Sequence, residues 1–68
     1  MKVTKCELYK YNMDLLEKTN TIEEMNDYIQ NDGSDYNFMN IDSYNYKNCM
    51  DIRIDFESGS TLFITIEK

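Results

Sequence analysis

Residues 50–68 read MDIRIDFESGSTLFITIEK. Met50, Ile52, Ile54 and Phe56 alternate with Asp51, Arg53, Asp55 and Glu57. That period of two is the mark of a strand with one face buried and one face wet. ESGS then supplies a hairpin turn, with Gly59 at the position that needs a positive φ. The return strand TLFITIEK points Leu62, Ile64 and Ile66 inward and Phe63, Thr65 and Glu67 outward. A hairpin with one continuous apolar face needs a cover, because it is marginal alone in water.

The cover lies upstream. Thr21 and Glu24 form a capping box, and Ile22, Met25 and Ile29 follow at i, i+3 and i+7. This spacing predicts a helix from about residue 22 to residue 31, ended by NDGSD with Gly33 as a left-handed cap. A helix so short does not stand alone in water and must pack its apolar stripe on the sheet. Asp14 and Glu17 make a weaker box that Thr19 and Asn20 interrupt, so at most one helical turn is expected there. KVTKCELYKY, residues 2–11, is rich in strand-forming residues, with Cys6 and Leu8 on one face and Val3 and Tyr9 on the other. YNFMNIDSYNYK, residues 36–47, reads as a further strand, bulged around residues 40–43. The expected fold is a single α+β domain over residues 1–68, β-α-β-β-β, with an antiparallel sheet packed on one helix.

Sixty-eight residues bury only about 60% of the surface of the unfolded chain, so stability is marginal. The chain has no histidine, which removes the commonest general base and metal ligand. Two isolated cysteines, Cys6 and Cys49, do not make a structural zinc site without further ligands. They are expected to be reduced thiols, and a disulfide requires that they face each other across the sheet. An EF-hand register with Gly33 at its sixth position puts Tyr28 first and Met39 twelfth, and both fail as calcium ligands. Two glycines are too few for a phosphate loop. The expectation is a protein without enzymatic activity, metal or cofactor. The opening residues lack the apolar run of a signal peptide and no window approaches a membrane span, so a cytoplasmic location is expected.

Charge is the strongest functional signal. The net charge is −6, and residues 14–35 alone hold seven acids against one lysine. Nucleic acid and anionic membrane are poor partners for such a surface, and a basic protein is a good one. Glu23 and Glu24 suit the first helical turn, but Asp27 lies three and four residues from them with no lysine to offset the repulsion. The candidate partner-binding residues are therefore Glu23, Glu24 and Asp27 at the centre, with Asp14, Glu17, Asp32 and Asp35 on the same segment. Asp51, Asp55 and Glu57 extend the set along the sheet. Six tyrosines divide between sheet packing and an interface.

Small size, strong acidity and a make-up rich in Asn, Tyr, Ile and Lys resemble the inhibitors encoded by phages and mobile elements, of which the anti-CRISPR proteins are the best-known group. The resemblance lies in the overall profile, and no motif carries site residues across. It implies a stoichiometric inhibitor that mimics nucleic acid and occupies a basic groove of a Cas effector or other nuclease. Two other readings stand beside it. One is an antitoxin or immunity protein that neutralises a basic toxin. The other is a homodimeric interaction module whose last strand, TLFITIEK, is an open edge.

Overall fold

A computed structural model describes residues 2–32 and 36–68. The cap expected at Gly33 and the acid Asp35 lie outside the described residues. Among these residues there are five strands and one helix: β1 (Lys2–Tyr9), β2 (Leu15–Lys18), α1 (Ile22–Asn31), β3 (Phe38–Asn45), β4 (Cys49–Phe56) and β5 (Thr61–Glu67). The strands form one sheet in the order β2-β1-β5-β4-β3, and every neighbouring pair is antiparallel. The α+β fold read from the sequence, an antiparallel sheet under a helix, is the fold of this chain.

Two expectations are corrected. Residues 15–18 form a strand, not a helical turn. Asp14 does not cap a helix; its N–H donates to Asn12 Oδ1 and its carboxylate accepts from Asn12 Nδ2. Four residues are too few to nucleate a helix, whereas Leu15 and Glu17 find ready partners in Tyr9 and Leu8 of β1. The loop between them holds Met13 at φ 68, a left-handed conformation that few residues other than glycine adopt. The second correction concerns β5, which is the central strand and not an open edge. β1 pairs with it on one side and β4 on the other. Its alternation of Leu62 and Ile64 makes it the natural centre of the core.

Bulges explain the imperfect parity of β1 and β3. The register slips between Val3 and Lys5, so Val3 faces Ile66 and joins Cys6 and Leu8 on the helix side. The bulge in β3 falls at Met39, just before the expected 40–43, so that Phe38 faces Phe56. Phe38 and Ile41 therefore lie on the helix side, and Tyr44 lies opposite Asp51 on the far side.

The core consists of Cys6, Leu8, Met25, Phe56, Leu62 and Ile64. Met25 is the helix residue driven fully into it, with Tyr28 and Ile29 half-buried beside it. Ile22, expected to share that stripe, is 45% exposed. Helix α1 packs over β1 and β2. A helix about 10 Å across does not span five strands, roughly 19 Å of sheet. The end of the sheet at β3 is thus left open, and all eight of its residues are exposed.

Gly59 has φ +93, as the hairpin requires, and a Cβ there would meet Tyr11 Cβ at 2.9 Å. Replacing Met25 with alanine is expected to lower unfolding free energy by about 2–5 kcal/mol, whereas Ile22→Ala costs about 1 kcal/mol or less. Urea midpoints of the two variants at constant m-value check the difference.

Candidate functional site

The acids separate into two groups. On the helix side, Thr21 is the N-cap: its Oγ1 accepts the Glu24 N–H at 3.1 Å and donates to Glu24 Oε1 at 3.2 Å. Glu24 is thus committed in part to holding the helix start. Glu23 and Asp27 are exposed and one turn apart, with no such commitment among the contacts described. Glu17 on β2 is half-buried, and its Oε1 accepts the Lys18 N–H at 3.0 Å. Asp32 sits at the helix C-terminus, where it accepts from the Tyr36 hydroxyl at 3.0 Å. Asp14 is exposed in the β1–β2 loop. Among the described residues the ion pairs are Lys18–Glu7 at 3.9 Å and Arg53–Asp55 at 3.0 Å. Neither touches Glu23, Glu24 or Asp27, so the negative field of the helix is uncompensated by contact.

Asp51 and Asp55 lie on the other face of the sheet. Their opposite numbers on β5 are Thr65 and Thr61, which alternate with the core residues Ile64 and Leu62. Asp51 Oδ1 accepts from Thr65 Oγ1 at 2.8 Å. Asp55 Oδ1 accepts from Arg53 Nε at 3.0 Å and from Thr61 Oγ1 at 3.2 Å. Glu57 is exposed in the β4–β5 turn. The sheet carboxylates therefore do not merge with the helix acids into one patch. Asp51 and Asp55 are internally satisfied, as the wet side of a sheet would be.

The far face holds a feature that the sequence did not announce. An open groove of about 290 Å³ runs across it, with Phe63 and Arg53 in its lining and Lys5, Tyr44 and Tyr46 also bordering it. Arg53 places its guanidinium 5.7 Å from the Phe63 ring centre. Tyr9 meets the same ring edge-on at 5.6 Å, and its hydroxyl donates to Glu7 Oε1 at 2.9 Å. These residues come from four strands, so only the strand order brings them together. The parity that Tyr44 shares with Tyr46, and Asp51 with Arg53, was the available signal, but only the β3–β4 register puts the two pairs on one face.

Cys6 is buried on the helix side, and Cys49 is half-buried and pairs with Glu67 on the far side. With β5 between their strands, a disulfide does not form. Burial is the main reason the Cys6 thiol is pushed above its ordinary pKa; a hydrogen bond with Thr19 opposes this and Glu24 reinforces it. Such a thiol is a poor nucleophile at neutral pH. Among the described residues no group of three or more potential ligands is placed to hold a metal, and no helix is long and apolar enough to cross a membrane. Comparison with protein-family models, curated proteins and solved structures returns no match.

Two titrations follow from these surroundings. The hydrogen bond to Glu7, then burial and the Glu7 charge, raise the Tyr9 pKa. Burial first, then Asp32 and Glu17, raise that of Tyr28. Both phenols favour the protonated form in the fold, so their contribution is intact below the ordinary tyrosine value of about 10 and fades as pH rises through the folded values. Phenolate absorbance should show two late-ionising tyrosines, and Tyr9→Phe should remove one of them. Thiol titration of the native protein should label Cys49 readily and Cys6 only after unfolding.

Proposed function

We propose that this protein is a stoichiometric inhibitor whose acidic helix side occupies a basic, nucleic-acid-binding groove of another protein, a Cas effector or similar nuclease. The observation that carries the reading is the exposed charge of Glu23 and Asp27, which make no ion pair among the described residues, on a segment of net −6. Their spacing of one turn is about 5.4 Å along the helix. Asp14, Glu17 and Asp32 add charge on the same chain segment.

A duplex carries one negative charge per about 1.7 Å of its axis, and a groove built for it presents lysine and arginine. The helix acids offer such a groove carboxylates that need not break any ion pair to bind. Long-range attraction of this kind speeds encounter and fades with salt. On the far face Lys5 and Arg53 lie beside the aspartates and offset part of their charge. The same surface also fits the anti-CRISPR-like profile of the sequence. Asp51, Asp55 and Glu57 take no part in the proposed contact.

The test is cleavage by RNA-guided nucleases with increasing amounts of the protein. Inhibition should saturate at one equivalent and weaken as salt rises. Glu23→Lys together with Asp27→Lys should weaken binding about tenfold or more while leaving the helix cap intact. Glu24 is left unchanged in that variant because its carboxylate bonds to Thr21. Full inhibition by the double variant, or the absence of inhibition across a panel of such nucleases, would sink the reading.

A further inference from the structure

β3 is an outer strand of the sheet, at the end away from α1. All eight of its residues are exposed. Large apolar side chains crowd on it and just after it: Phe38, Met39, Ile41, Tyr44 and Tyr46 are each between 51% and 61% exposed. The segment around it is also neutral. Residues 36–50 carry Asp42 and Lys47 and no other charge, in a chain of net −6. Native edges are commonly guarded by proline or lysine, and β3 contains neither.

The backbone shows which groups are available. Tyr46 N–H donates to Cys49 C=O at 2.8 Å. Alternation along an antiparallel ladder then turns the backbone groups of Tyr44, Asp42 and Asn40 toward β4. Those of Ile41, Ser43 and Asn45 point off the edge.

We propose that β3 pairs antiparallel with β3 of a second copy about a twofold axis at Ser43, joining two five-stranded sheets into one. The register is the one that uses the whole outward edge. Across such an axis opposed residues share a face, so the axis must pass through a residue. At Asp42 it would set that carboxylate against its own copy, which is unfavourable. At Ile41 it would set the Met39 bulge against Ser43 of the second copy and interrupt the ladder. At Ser43, Ile41 faces Asn45, Asp42 faces Tyr44 and Asn40 faces Tyr46 of the second copy. Every outward backbone group of Ile41, Ser43 and Asn45 is then used.

Charge selects a second copy as the occupant. A basic partner is drawn to α1, not to this neutral edge. Two copies meeting at β3 keep their β1 strands seven strand spacings apart, roughly 34 Å along the sheet. That is about four Debye lengths at physiological salt, so the two acidic helices hardly repel. Aromatic side chains bury about 150–250 Å² each, and Tyr44 and Tyr46 have half of theirs to give. With Ile41 and the backbone, two copies approach the roughly 1,000 Å² of a weak, concentration-dependent dimer. The proposal is independent of the inhibitor reading.

Sedimentation from micromolar to millimolar concentration should show a monomer–dimer equilibrium. Ser43→Pro removes an outward N–H and no bond to β4, so that variant should keep its circular dichroism and melting behaviour but sediment as a monomer. In a Cys49→Ser background, Ser43→Cys should give a disulfide-linked dimer on mild oxidation, since opposed Cα atoms lie about 5.5 Å apart. Asn45→Cys should not, because the two copies of residue 45 are about 13 Å apart in this register. A monomer throughout the range, a dimer that survives in folded Ser43→Pro, or equal cross-linking at residues 43 and 45 would each overturn the proposal. So would protection of the β3 amides that appears only when a different protein is added.

Discussion

The fold is governed by a mismatch in width. One helix of ten residues must cover a sheet of five strands, and it reaches only part of the way. Where it lies, burial is complete: Cys6, Leu8 and Met25 have essentially no exposed surface. Moving toward β3, the same side of the sheet passes from buried Leu62 and Ile64 on β5 through half-buried Ile52 and Ile54 on β4 to exposed Ile41 on β3. Hydrophobic stabilisation follows buried area, so the molecule is firm at one end and lightly held at the other. Its charge follows the same axis, because the acidic segment is the one that forms the helix.

That polarity separates two kinds of surface. The aspartates of β4 are hydrogen-bonded by threonine hydroxyls, and Asp55 is also paired with Arg53, so both are tied into the sheet. Among the described residues Glu23 and Asp27 make no ion pair, and they add mutual repulsion to a helix that is already short. The helix dipole favours Glu23 in the first turn, so its repulsion with Asp27 leaves only a small cost. Glu24 belongs to both groups, as helix cap and as surface charge.

The legible parts of the sequence were those with local rules. The alternation from Met50 to Ile66 reports which face is buried, because one residue of slip would invert every side chain. Gly59 and Thr21 mark a turn and a helix start by chemistry that acts within four residues. The strand Leu15–Lys18 was missed because its pairing with β1 is visible only across the loop at residues 10–14. Val3 and Phe38 were harder still, since a bulge changes their face without leaving a mark in composition. The mistaken edge at β5 has another cause. Its apolar residues are equally compatible with an exposed edge and a buried centre until the position of β1 is known. For the candidate site, the acids were countable, but their division between two faces and the groove beside Phe63 required the strand order.

The pairing of β1 with β5 has a consequence in time. Thr4 Oγ1 donates to the Thr65 carbonyl across 61 residues of chain. At a synthesis rate of about 5–20 residues per second, the first of these strands waits roughly 3–12 s for the other. During that wait Cys6 and Leu8 have β2 and α1 as their available shelter, since both are made directly after β1. Neither the short hairpin nor the ten-residue helix is stable alone, so the core of this chain closes only when β5, made last, is in place.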